Sequence, residues 1–345
     1  MITPIFFLFA WYVPVMTTVA HRVFKATQNE VDGSVTTHEY DVWTQIYTDL
    51  RTGRLSSLGF RIGTRPSEKK GGDPLSREPC VSITVNLPNP SFPQIDPSVA
   101  KLGNVNYSSE CSVGGGLKTG TGTRHMLWTS LKAVMGVLFM MMGKKVPYEI
   151  KSFSFTDSSS YVCANGIGSV SLPILSLLTS GMTWYEKHFS AYPANEGTRQ
   201  IYENGKLLFV EVHDVKSKQT PSSTWIPFDE LGAPGDHRKA YDESTSYRQF
   251  FSDLRKKVGD DLFCREAQQP WAKTLLNKLF MGNDVFGNGI NWKIDSLTVL
   301  NKDLHIDSIT KDDGMRPPWV VRGGGGNEEF HDDRWMQLGG GLHDP

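Results

Sequence analysis

CVSITVNL (80–87) carries the clearest periodicity in the chain. Val81, Ile83, Val85 and Leu87 alternate with Cys80, Ser82, Thr84 and Asn86, which predicts a half-buried strand. The prolines of PNPSFPQIDP (88–97) end it, because proline cannot donate to a strand ladder. Further on, RHMLWTSLKAVMGVLFMMMG (124–143) changes period. Leu127, Leu131, Val134, Met135, Leu138 and Met142 fall at helical spacing, with Gly143 as a stop. The glycine-rich SVGGGLKTGTGT (112–123) joins the two. Strands and helices in this order predict an α+β fold, a mixed sheet with helices packed on one or both faces.

Other elements extend that frame. YDVWTQIYTDLRTGRL (40–55) reads as a short helix with Trp43, Ile46, Tyr47 and Leu50 on one face, followed by a strand over 53–62. EIKSFSF (149–155) is strand-like, and SLPILSLLTSG (171–181) is a short helix with an early proline and a terminal glycine. GMTWYEKHF (181–189) does not alternate. On a helix started by Thr183 or Gly181, Tyr185 and Phe189 share a face, and Glu186 suits the amino-terminal end. IYENGKLLFVEVH (201–213) has Asn204-Gly205 between strand-forming runs, a hairpin signal. The long segment 216–238 reads as a loop, mobile or partner-facing. SYRQFFSDLRKKV (246–258) is a helix capped by Ser246 with Gln249. A second helix over 264–280 is kinked or restarted at Pro270, and strands follow at 291–300 and 305–309.

The chain has 345 residues, 39% hydrophobic, with 9 tryptophans, enough to build a substantial core. We draw one α+β domain over 21–315, an apolar extension or signal-like segment over 1–20, and a flexible glycine-rich tail over 316–345. With 36 basic against 37 acidic residues, there is no excess of positive charge to grip nucleic acid. In ITPIFFLFAWYVPVMTTVA (2–20), Thr18-Val19-Ala20 resembles a cleavage site, but no Lys or Arg precedes the apolar run. Translation from Met16 is the alternative. A signal peptide would make the protein secreted, and membrane attachment is expected only if 1–20 is retained as an anchor. Cys80, Cys111, Cys163 and Cys264 are far apart, without metal-ligand spacing, and read as buried thiols of a reducing compartment.

For chemistry, the sequence lacks a phosphate-binding G-x-x-x-x-G-K-[ST] loop and a G-x-S-x-G nucleophile turn. His305-x-Asp307 and His331-Asp332-Asp333 offer metal-ligating groups, but we assign no metal site to them. Asp157 followed by three serines reads first as an Asx-type turn. A glycine-rich loop before a helix presents free N–H groups to an anion. KTGTGTRHML, IKSFSF and WYEKHF, in that order over roughly 80–190, resemble in outline the N-acetyltransferase superfamily. That resemblance implies an acyltransferase that binds acetyl-CoA through Gly120, Thr121, Gly122 and Thr123. It also implies that Tyr185 is the general acid for the departing thiolate.

SFSFTDSSS, LLTSGMTWYEKHFSAYP and SYRQFFSDLRKKVGDDLFCREAQQPW are similar to uncharacterised proteins of large nucleocytoplasmic DNA viruses. This resemblance covers about the middle half of the chain, and Thr183-Trp184-Tyr185-Glu186 is its most specific part. It implies an intracellular protein of the host cytoplasm or virion, with Met16 as the start. Two functions therefore stand. One is an acetyltransferase-like protein or a degenerate relative. The other is a non-enzymatic viral accessory or virion protein that meets a protein partner through 216–238.

Overall fold

The computed structural model describes residues 14–29, 35–49, 55–64, 79–88, 94–105, 121–142, 150–157, 159–163, 168–220, 223–282, 285–286, 290–302 and 304–309. The amino-terminal part of the chain supplies strands β1 (Pro14–Asn29), β2 (Val35–Asp49), β3 (Leu55–Thr64), β4 (Val81–Asn86) and β5 (Val99–Val105). Helix α1 (Thr121–Met142) and strand β6 (Ser152–Thr156) follow. Then come β7 (Ser160–Val162), β8 (Ser169–Ser171), α2 (Leu172–Ser180), α3 (Trp184–Phe189), β9 (Tyr192–Pro193), α4 (Glu196–Val210) and α5 (Val215–Lys218). The chain continues through α6 (Arg238–Glu243), α7 (Tyr247–Gln268), α8 (Pro270–Leu279), β10 (Asn291–Asp295), α9 (Ser296–Leu300) and β11 (His305–Ile309). The fold is α+β. It divides into two compact units, 154–295 and the remainder, where the sequence reading draws one domain over 21–315.

In the first unit, β11, β1, β2, β3, β4 and β5 lie side by side in that order, each antiparallel to the next. The alternation in β4 works as the sequence predicts. Val81, Ile83 and Val85 are buried beside Phe60, Ile62 and Leu102, while Ser82, Thr84 and Asn86 are half-buried. Residues 40–49 are strand β2, not a helix. Tyr40, Val42 and Ile46 alternate into the core, and these aromatic and β-branched residues suit a pleated surface better than a helix. The helical spacing of Trp43, Ile46 and Tyr47 is incidental, because a strand sends Ile46 to the face opposite the other two. β1 begins at Pro14, so residues 14–20 of the apolar amino-terminal segment pair with β2.

Helix α1 is closed in by this unit. His125 through Leu131 are all buried, and Leu127, Leu131, Val134 and Leu138 fall where the periodicity places them. Tyr40 Oη lies 2.8 Å from His125 Nδ1, which ties β2 to the helix. Lys132 Nζ donates to the carbonyls of Leu304, at 3.1 Å, and Lys302.

The unit 154–295 is helical, with short strands. Its core is aromatic: Tyr202, Phe209, Tyr241, Tyr247, Phe250, Phe251 and Trp292 are each fully buried. Residues 201–210 belong to α4, not to a hairpin. Asn195 caps this helix by accepting from Thr198 N at 3.0 Å, and Gly205 lies inside it. A Cβ at Gly205 would sit 2.2 Å from Phe280 Cδ1, so the glycine is there to let the ring approach the helix backbone, not to turn the chain. The strand drawn over 291–300 stops at Asp295, where α9 begins. α2 ends on Gly181 at φ 79°, as predicted, and Pro270 does open a separate helix. Gly259, at φ 80° and ψ 164°, interrupts α7.

The cysteines overturn the thiol reading. Cys163 and Cys264 form a disulfide across a sequence separation of 101, and Cys80 is also disulfide-bonded, to a partner outside the described residues. Wide spacing in sequence hid this pairing, because only folding brings the hairpin end at Cys163 against α7.

Candidate functional site

α3 forms as its sequence demands. Thr183 Oγ1 accepts from Glu186 N at 3.2 Å, and Thr183 N donates back to Glu186 Oε2, a reciprocal capping box. Ser190, at φ 52°, closes the other end with its N–H on the Glu186 carbonyl. The helix thus presents Tyr185 and Phe189 to one side, both buried. The Tyr185 ring is 5% exposed and packs on Phe155 at 4.5 Å, Trp184 at 5.0 Å and Phe189 at 6.2 Å. Glu186, not Tyr185, is the polar hub. Its carboxylate also accepts from the Tyr202 hydroxyl and from Lys206 Nζ. Burial raises the Tyr202 hydroxyl far above the ordinary phenol range, and the adjacent Glu186 charge pushes it further the same way.

The residues expected to hold acetyl-CoA do not share a unit with Tyr185. Gly120 lies outside the described residues. Thr121, Gly122 and Thr123 form the first turn of α1, in the unit that excludes 154–295, and their side chains also lie outside the description. Neither unit alone brings the two halves of that site together. His331, Asp332 and Asp333, and the side chains of His305 and Asp307, are outside the described residues too. Among the described residues, no cluster of three or more His, Cys, Asp or Glu could hold a metal ion. No described helix is long and apolar enough to cross a membrane.

The segment 216–238 is anchored, a property its composition did not reveal. Trp225 stacks on Tyr247 with centroids 4.4 Å apart and planes at 3°, and it packs on Tyr241 at 4.9 Å and His213 at 5.4 Å. Tyr247 Oη accepts from Ile226 N, and Tyr241 Oη donates to the Ile226 carbonyl, both at 2.7 Å. Burial pushes the Tyr247 hydroxyl up to about 12. Lys218 Nζ sits 4.1 Å from the Trp225 ring centre and donates to the carbonyls of Asp242, at 3.0 Å, and Ser244. These carbonyls belong to the end of α6, where a cation is favoured. Burial lowers the Lys218 pKa. Phe228, Leu231 and His237 are buried as well, and His237 Nε2 lies 3.2 Å from Glu266 Oε2. Outward from these anchors point Asp229, Glu230, Asp236, Arg238 and Lys239, all exposed.

Just before this segment, four large apolar side chains face solvent within nine residues. Leu207 is 66% exposed, Val210 39%, Val212 76% and Val215 65%. The hairpin reading concealed them. As a helix running into an irregular stretch, 207–215 leaves apolar groups uncovered, which an alternating strand pair would have buried on one face. A concavity lies on the first unit's sheet. It is an open groove of ≈ 470 Å³ lined by Gln45, Tyr47, Arg61, Ser82 and Thr84. Gly59 and Gly103 keep it open, since a Cβ on Gly103 would meet Ser82 Oγ at 2.6 Å.

No family model, no curated protein and no solved structure matches this chain.

Proposed function

We propose that the chain is a non-enzymatic interaction protein, of the accessory or virion type that its similarity to large DNA virus proteins implies. Its unit 154–295 meets a protein partner through the surface formed by 207–238. One observation carries this reading. The exposed apolar side chains of Leu207, Val210, Val212 and Val215 run directly into a segment that is irregular yet pinned by Trp225 and Phe228. Four large apolar side chains exposed within nine residues, beside the exposed charges of Asp229, Glu230, Arg238 and Lys239, supply the apolar and polar groups that a protein-binding surface uses. A loop held on a rigid scaffold loses little entropy when it binds. The packing of Tyr185 among Phe155, Trp184 and Phe189 weighs against the rival acetyltransferase reading.

Chemical cross-linking of the full chain in cells that express it tests the proposal, read at Lys216, which is exposed between Val215 and the anchored segment. Wild-type chain should give reproducible Lys216 cross-links to one other protein. Val212→Asp/Val215→Asp should lose them while melting within about a degree or two of wild type, because exposed positions tolerate substitution. The same cross-links in wild type and variant, or none in wild type, would end the reading.

A further inference from the structure

We infer that Cys163 and Cys264 are a site of enzymatic thiol oxidation, and that the chain reaches its native state only where a protein disulfide donor acts on them. This inference is independent of the proposed binding surface. The two sulfurs are bonded to each other and are 2% and 0% exposed, respectively. At this depth in the folded unit the pair is out of reach of a protein oxidant, so on this inference it closes while the unit is still assembling. Cys80 is oxidised too, and among the described residues no cysteine is free. Reducing compartments keep such pairs open, and complete pairing is the habit of chains that fold under oxidation.

The position of the bond explains what it does. Cys163 directly follows β7, whose three residues pair only with the three of β8. Tyr161 in that hairpin is 45% exposed, so the two strands bury little of their own. An isolated pair of such short strands is at best marginally stable. The disulfide fastens it to α7 at Cys264, and one helical turn later Gln268 Nε2 donates to Cys163 Sγ at 2.7 Å. Without oxidation, two thiols would meet in a buried space and the hairpin would lose its one covalent tie to α7, keeping only packing such as that of Val170 and hydrogen bonds such as that from Gln268.

The chemistry is two-step exchange. One cysteine, as thiolate, attacks the disulfide of the donor protein and forms a mixed disulfide, releasing one donor thiolate. The second cysteine loses its proton, attacks the mixed bond at the first cysteine's sulfur and expels the other donor thiolate. Two thiols of the chain are oxidised, the donor disulfide is reduced to a dithiol, and the two protons lost by the chain balance the donor thiolates.

The test uses the full chain produced in two hosts, one with a reducing cytosol and one whose cytosol carries a protein disulfide donor. Each preparation is acid-quenched, alkylated without reduction and digested. The oxidising host should yield soluble chain with the Cys163 and Cys264 peptides joined and unalkylated. Its melting midpoint should fall by at least about 10 °C on reduction, the amount expected for opening a link across roughly 100 residues, with the Cys80 bond opening in the same step. Cys163→Ser/Cys264→Ser, which keeps the Cys80 disulfide, should melt about 10 °C below the oxidised wild type, and reductant should lower it further only by what the Cys80 bond contributes. The reducing host should yield little folded chain. Folded chain from that host with both thiols alkylatable after unfolding, and a midpoint equal to that of the oxidised preparation, would overturn the inference. The reduced wild type gives this reading even if the serine variant fails to fold.

Discussion

Replacing Gly205 with alanine sets two effects against each other, and the structure decides the sign. In an exposed helix, Gly→Ala is worth about 1 kcal/mol of stabilisation, because alanine has less backbone freedom to lose. At Gly205 the new methyl would lie 2.2 Å from Phe280 Cδ1, 2.3 Å from Cε1 and 2.8 Å from Cγ. Ordinary carbon contacts need more than an additional ångström. The ring cannot swing away cheaply. Phe280 is 1% exposed, lies at 22° to Tyr202 with centroids 6.1 Å apart, and meets Phe286 edge-on at 5.0 Å. Overpacking a tight core costs roughly 1–3 kcal/mol, with an overlap this deep at the upper end. The net expectation is a loss of about 1–2 kcal/mol, or a melting midpoint lower by roughly 5 °C. Thermal denaturation followed by circular dichroism reads it. The decisive control is Phe280→Leu, which frees the space. In that background Gly205→Ala should become neutral or stabilising, giving a coupling of about 1 kcal/mol or more between the sites. A higher midpoint for Gly205→Ala alone, or equal cost in both backgrounds, would refute the close packing of α4 on this ring.

Further expectations concern the caps, the aromatic block and the buried charges. Thr183→Ala removes the acceptor for Glu186 N and should cost about 1 kcal/mol, measured by denaturant midpoint. Tyr185→Phe should cost about 1 kcal/mol at most, whereas Phe189→Ala should cost roughly 3–5 kcal/mol because it empties a site that is 1% exposed. Lys218→Met keeps an apolar stem over Trp225 but loses the charge-assisted bonds to Asp242 and Ser244, for an expected loss of about 1.5–3 kcal/mol by urea unfolding. Burial raises the Asp157 pKa, against the partial offset of its bonds from Ser159. The folded state therefore holds this proton to higher pH than the unfolded one, and stability falls as pH rises from about 4 through the raised folded value. Asp157→Asn keeps the Ser159 acceptor and should flatten that decline in melting scans across pH; an unchanged slope would show that another group sets it.

Elements with strong local signals were legible. β4 alternates without a break, α1 keeps one period over five turns, and α3 carries its own capping box. Each of these is dictated by residues within a few positions of one another. The misreadings share the opposite cause. Asn204-Gly205 looks like a turn until Phe280, 75 positions on, is seen to need the missing side chain. Residues 40–49 score for either period until their neighbours β1 and β3 are known. The Cys163–Cys264 bond and the anchoring of 216–238 by Tyr241 and Tyr247 likewise rest on long-range packing. So does the place of Tyr185: spacing set its helical face, but not what that face would meet.

Titrating the full chain with acetyl-CoA while following its melting midpoint bears most directly on whether this is an interaction protein or an acetyltransferase. A cofactor bound only by the folded state, at about 100 times its Kd, adds ~2.7 kcal/mol, enough to raise the midpoint by roughly 5–10 °C. The account predicts no saturable shift, in wild type or in Tyr185→Phe. A saturable rise with acetyl-CoA in the wild type would contradict it.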